Sequence, residues 1–447
     1  MELLILEVID RKTSVMTVVL YGILLGVVVI GTFVDVIGET LTSQFGLLLF
    51  ITMAGGAFFT GQYVLRNYVK KLHLDLIDSR FLNVLSRAAP FVLYADLAII
   101  VCMIFQMLTI ESYSVWLLIA TTILTGSVGC LLFGFRFYKF LSWYKSNKSS
   151  MMVLAFTIET FLLTVGMSST VIINTWSLSE RPAAITPQFV VNLDPGTFLS
   201  PTQNLVNMYG YLVPIIVYVI PEMVGIALFL RYFIDRLGKA RFWVIVTLPP
   251  LLLITSTFLP QVFTSGQNFA YLDSKFTSFR IIGTLGWVVG SFVMAFAYLS
   301  VARTIRQVSP NSAVINYLIV AAFAQILFPL TANNVIMESS YPSFGSILYS
   351  FFVLSAFLFS MGIYSAALSV SQDAKLRQLI RKHAKESTLL DTVGTAEMVI
   401  TIQNRVNIIR NQADAMTKNS GVESSMTDSD IRRYLELAIV EAKKEQR

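Results

Sequence analysis

Ala88–Ile110 reads AAPFVLYADLAIIVCMIFQMLTI. Asp96 is its one charged residue, and its apolar positions run on without alternation. A helix rises ~1.5 Å per residue, so such a run is long enough to cross a hydrocarbon core of ~30 Å. A barrel strand would alternate between lipid-facing and lumen-facing residues, and it would be shorter. Only helices and closed barrels satisfy their backbone in lipid, so this stretch decides for a transmembrane helix.

Nine further runs of the same kind flank it: Thr13–Val34, Gln44–Leu65, Val115–Phe135, Met151–Ile173, Met208–Leu230, Phe242–Phe263, Ile281–Ala302, Ala313–Met337 and Phe344–Val370. The reading is therefore an all-α, polytopic membrane bundle of about ten helices over residues 1–370. Residues 371–447 then form a helical cytoplasmic tail. Composition agrees: 55% of the 447 residues are hydrophobic and 13% charged, against the ~25% charge of a soluble domain. Mean hydropathy is +0.69. The first run is too long for a signal-peptide core and lacks a small-residue cleavage site after it, so no cleaved leader is expected.

The net charge of +6 sits in short loops beside the apolar runs, so it argues for orientation and against a nucleic-acid partner. Seventeen Lys and Arg fall in the N-terminal arm and in the loops on one side. The other side has only Arg181, Lys275 and Arg280. The positive-inside rule then places both termini in the cytoplasm of a cell-membrane protein. Outside, Asn174–Asn207 carries four prolines and reads as an irregular cap.

The tail is expected to extend the last crossing through Leu376, Leu379 and Ile380, to break near Gly394, and to restart near Thr395. Val399, Ile402, Val406 and Ile409 then form a coiled-coil-like stripe. Thr427 and Asp430 resemble a capping box opening a last short helix. Residues 395–440 are thus a candidate surface for a homo-oligomer or a cytoplasmic partner, besides the lipid bilayer itself. Packing on the inner loops is the plainer alternative.

No nucleotide loop, nucleophile elbow or metal-ligand motif occurs, so no catalytic residue, metal, cofactor or enzymatic activity is expected. Cys102 and Cys130 lie in apolar runs as small packing residues, and His73 and His383 lie in basic segments. The informative residues are acids inside the runs: Asp96, Glu159 and Glu222, none with a Lys or Arg in the core of its run. A carboxylate at the bilayer centre costs at least ~2.5–3.5 kcal/mol. The three form a candidate ion, proton or substrate site. They could instead be capped by hydroxyls such as those of Tyr94, Thr157 or Tyr218. Pro214, Pro221, Pro249 and Pro250 each remove a helical hydrogen bond and are expected to break or kink two helices at membrane depth, a transporter device.

The tail segment Leu389-Leu390-Asp391-Thr392-Val393-Gly394-Thr395-Ala396-Glu397-Met398 resembles one found in uncharacterised archaeal multi-pass membrane proteins. That resemblance implies membrane residence and carries no activity. From the acids and prolines, a secondary transporter or cation/proton-coupled permease leads. A membrane sensor relaying a shift from the last crossing into the tail comes second, and a structural subunit of a membrane complex third. Acids converging on one cavity would favour transport; scattered acids, each with its own partner, would favour the sensor or structural readings.

Overall fold

The computed structural model describes residues 44–75, 80–148, 150–187, 238–264, 273–310, 312–332, 341–383 and 388–420, with isolated positions at 22, 26, 223, 227, 430 and 433. Chain order gives α1 (Gln44–Asp75), α2 (Arg80–Ile110), β1 (Tyr113–Ser114), α3 (Val115–Ser146), α4 (Met151–Ser179) and β2 (Ala184–Ile185). There follow α5 (Lys239–Thr264), α6 (Asp273–Val308), α7 (Ala313–Ala332), α8 (Phe344–Ser350), α9 (Phe352–Gln372), α10 (Ala374–His383) and α11 (Thr388–Ser420). Among the described residues, six helical stretches are long and apolar enough to cross a membrane: Gln44–Arg66, Arg87–Ile110, Val115–Ser146, Met151–Ser179, Val288–Val308 and Phe344–Gln372. The chain is therefore an all-α, membrane-embedded protein. The expected runs Thr13–Val34 and Met208–Leu230 lie outside the described residues, apart from isolated positions.

The Phe344–Gln372 span is the axis of the bundle, and its whole apolar window is buried by protein. A helix that is apolar all round belongs inside. α1, α2, α3, α7 and α11 all pack against α9. The approach is close because aromatic rings meet glycines. A Cβ built on Gly61 would lie 2.4 Å from the Phe351 ring, and one on Gly129 2.1 Å from that of Phe352. On the other side, a Cβ at Gly362 would lie 3.0 Å from the Tyr317 carbonyl of α7. In lipid, where tails are as apolar as leucine, close packing at small residues is what holds helices together. The span is interrupted between α8 and α9, where the Phe351 N–H donates to the Leu348 carbonyl, three residues back instead of four, at 3.1 Å.

Several boundaries differ from expectation. α3 continues eleven residues past Phe135 to Ser146, which places Arg136 and Lys139 on a packed helix instead of in a loop. α4 continues to Ser179, so the segment from Asn174, expected as an irregular cap, begins as helix, with Asn174 buried. Beyond it Ala184–Ile185 pairs antiparallel with Tyr113–Ser114, a two-stranded clasp in an otherwise helical structure. Glu111, at φ 50°, turns the chain from α2 into that clasp. Of the break or kink expected at Pro249 and Pro250, a break is not present: α5 runs as one helix across both. A Cβ on Gly290 of α6 would sit 3.4 Å from the Pro249 Cβ, in ordinary contact with the proline pair's outer surface.

The tail also differs. The last crossing ends at Gln372, and Asp373 is extended, its Oδ1 accepting the Leu376 N–H at 2.9 Å to cap α10. Arg377 Nη1 donates back to the carbonyls of Val370, at 3.1 Å, and Ser371, closing the end of α9. α11 then runs unbroken through Gly394. That glycine is a contact and not a break: a Cβ there would lie 2.5 Å from Val370 Cγ1. Leu389, Leu390, Val393 and Ala396 are buried on the bundle. The expected stripe is split, with Ile402 and Val406 buried and Val399 45% exposed. The side chain of Ile409 and the last helix expected after Thr427 lie outside the described residues.

Candidate functional site

Asp96, on α2, is completely buried. The Thr125 hydroxyl of α3 donates to its Oδ2 at 2.5 Å, while Oδ1 has no partner. Glu159, on α4, is also buried, but it faces a cation: Arg136 Nη2 of α3 lies 3.4 Å from its Oε1. The expectation that no basic residue would neutralise these acids is thus corrected for Glu159. Arg136 also stacks its guanidinium 3.9 Å from the Phe359 ring centroid of α9. The pair is single-pronged, because Arg136 Nε and Nη1 and Glu159 Oε2 find no partner. Arginine's planar fork is built for two parallel bonds to a carboxylate, and here one is made.

Two of the expected hydroxyl caps, Tyr94 and Thr157, are not the ones used. Tyr94 is 58% exposed, and the Thr157 hydroxyl donates to its own helix at the Val153 carbonyl. Tyr218, Glu222, Pro214 and Pro221 lie outside the described residues. Among the described residues, no three His, Cys, Asp or Glu side chains gather as metal ligands.

Asp96 and Glu159 do not converge. Their partners Thr125 and Arg136 stand eleven residues apart on α3, about 16 Å along the axis at ~1.5 Å per residue. Eleven residues make very nearly three turns, so both partners lie on the same face of α3. Thr121, one turn before Thr125, and Lys139 and Trp143, beyond Arg136, continue that face. α3 therefore carries a polar stripe inside the bundle, with a carboxylate from a different helix at each level.

A third carboxylate belongs to this stripe, and sequence reasoning missed it. Glu397, on α11, is 4% exposed. It accepts from Trp143 Nε1 at 2.7 Å and from the Tyr364 hydroxyl of α9 at 3.3 Å. Lys139 Nζ stands 3.5 Å from its Oε1 and 4.4 Å from the Tyr364 ring centroid. Two ion pairs thus leave α3 within one turn, one to α4 and one to the tail. The signal was present: Leu389, Val393 and Glu397 recur every four residues, so the acid lies on the helix's own apolar face.

Tyr341, outside the spans, packs near the two-stranded clasp. Its hydroxyl donates to the Met107 carbonyl at 3.3 Å, and its ring stacks on Tyr113 with centroids 6.2 Å apart. Burial first, then the negative charge of Glu111, pushes its phenol above the usual tyrosine range.

No known protein family, no curated protein and no solved structure matches this chain.

Proposed function

We propose that the chain is a membrane relay or sensor protein, in which a change within the bundle is passed to the docked helical tail. The observation that carries this reading is Glu397. A tail that served only as a tether would not place a carboxylate at the end of the bundle, under an indole N–H, a phenol and an ammonium group. A buried carboxylate separated from its donors costs several kcal/mol, so the seat has two well-defined states, occupied or vacated into water. The tail is tied to the axial span by Arg377 at one end and by Gly394 against Val370 at the other. A small shift of α9 against α3 therefore bears directly on α11. Bistable packing of this kind is the physical basis of switching. The positive loops put the tail on the cytoplasmic side of the cell membrane, where it meets its partner.

Scattered acids support the relay over the permease. Glu159 is spoken for by Arg136, and it is a level apart from Asp96. One observation still favours a cation- or proton-coupled permease as second reading: Asp96 has an unpartnered oxygen and, among the described residues, no ion pair.

Spin labels separate the two readings. One label replaces the exposed Tyr138 of α3 and the other the exposed Asn407 of α11, in full-length protein lacking Cys102 and Cys130. The relay reading expects one dominant distance in lipid nanodiscs, which Glu397→Leu and Asp96→Asn both broaden or lengthen. A distance indifferent to both substitutions overturns it. Gradient-driven sodium or proton flux in vesicles that is lost in Asp96→Asn would establish the permease instead.

A further inference from the structure

Threonine in a helix ordinarily turns its hydroxyl back to the carbonyl three or four residues earlier. Thr52, Thr60, Thr109, Thr122 and Thr157 all do so. Two threonines on the inner face of α3 do not. Thr125 donates to Asp96 Oδ2, and Thr121 Oγ1, one turn away on the same face and completely buried, has no partner. Asp96 Oδ1 is the second unpartnered buried oxygen here. The Tyr349 hydroxyl of α8 approaches α3 at Gly126, the residue after Thr125. A Cβ on Gly126 would lie 2.8 Å from that oxygen, and Asp96 and Cys130 are both within electrostatic reach of it. The α8–α9 interruption follows at Phe351.

Unfilled polar atoms in a dry interior cost free energy, and two of them around one uncompensated carboxylate call for an occupant. The donor set is carboxylate and hydroxyl oxygen only, which suits hard cations. Charge fixes the valence. Glu159 has Arg136, whereas Asp96, among the described residues, offers a single unmatched negative charge. A monovalent ion leaves the site neutral, and a divalent ion leaves a net positive charge at membrane depth. We propose that Asp96, Thr121, Thr125 and Tyr349 form a binding site for a small monovalent cation of the sodium class. The close packing around Gly126, where a Cβ would also meet Val171 at 2.5 Å, favours sodium over the larger potassium ion. This assignment does not depend on the relay reading, because it is tested by binding alone.

The full chain in nanodiscs is unfolded thermally in sodium, potassium or N-methyl-D-glucamine chloride at constant ionic strength and pH. Sodium is expected to raise Tm saturably, potassium less, and the organic cation not at all. Asp96→Asn should abolish the sodium effect. Thr121→Val is the decisive variant, because it removes a hydroxyl that bonds to nothing. Its Tm without sodium should equal or exceed that of the unmutated chain, while half-saturation by sodium moves tenfold or more upward; Thr121→Ser should restore it. Equal sodium responses in the unmutated chain and in Thr121→Val overturn the site. So does a Tm that follows pH but not sodium, which would make Asp96 a proton site.

Discussion

The Arg136–Glu159 pair sets a measurable demand on the bundle. Both side chains are nearly inaccessible, at 2% and 3% of their free surface. Removing one partner leaves the other charged and stranded, which costs about 3–5 kcal/mol at buried sites. Glu159→Met should fall in that range. Arg136→Met should exceed it by about 0.5–2 kcal/mol, because the guanidinium also stacks 3.9 Å from the Phe359 centroid. The double variant Arg136→Met/Glu159→Met removes both charges together with their unfilled hydrogen-bonding atoms. Apolar replacement of a buried pair is often neutral or better, so the double variant should be more stable than either single one. The assay is denaturant unfolding in mixed micelles, followed by tryptophan fluorescence, for all four corners of the cycle. Additive single effects would refute the reasoning. A Glu159→Met cost below about 1 kcal/mol, the size expected of a solvated pair, would refute it equally.

Three further outcomes follow from particular contacts. Gly394→Val places a Cβ against Val370, and overpacking of ~1–3 kcal/mol should raise the rate of tryptic cleavage in α11 roughly 5- to 150-fold without unfolding the bundle. Gly129→Ala, with its Cβ 2.1 Å from Phe352 Cε1, should cost ~1–3 kcal/mol, and a second substitution Phe352→Leu should recover part of it. Tyr341→Phe should remove a late-titrating component from the ultraviolet tyrosinate curve of the folded protein. Because the folded phenol is held above its unfolded value, its contribution to stability is complete below pH ~10. That contribution declines as pH rises from there through the folded value, and the decline should be shallower in Tyr341→Phe.

The helices were legible because their signal is long and redundant. Apolar runs such as Ala88–Ile110 cannot be solvated as anything else, and local breakers such as Pro249 and Pro250 do not outweigh them. Within α5 the two prolines leave the helix continuous, since other turns keep their bonds and neighbouring helices support them. Ends were less legible. A hydropathy reading stops at the first charges, so α3 seemed to finish at Phe135, although its helix extends to Ser146 and buries Arg136 on the way. Gly394 shows the same limit from the other side. Glycine weakens a helix by about 1 kcal/mol when it only loses entropy, yet the same missing Cβ lets α11 close on Val370.

The polar site was half legible, and the reason is physical. A buried charge is tolerated according to what faces it, and the facing group can come from anywhere in the chain. Glu159 meets its cation from 23 residues away and Glu397 meets its indole from 254 away. Counting acids within runs therefore groups Asp96 with Glu159, which look alike in sequence and differ in kind. Glu159 is compensated by a full charge, stacked in place by Phe359, and its removal should damage the fold. Asp96 is met by one hydroxyl, with a second, idle hydroxyl a turn away, and its neutralisation should spare the fold while changing what the site binds. Unmatched charge, more than the presence of an acid, is thus the ground on which Asp96 is proposed as a binding group and Glu159 as a structural one.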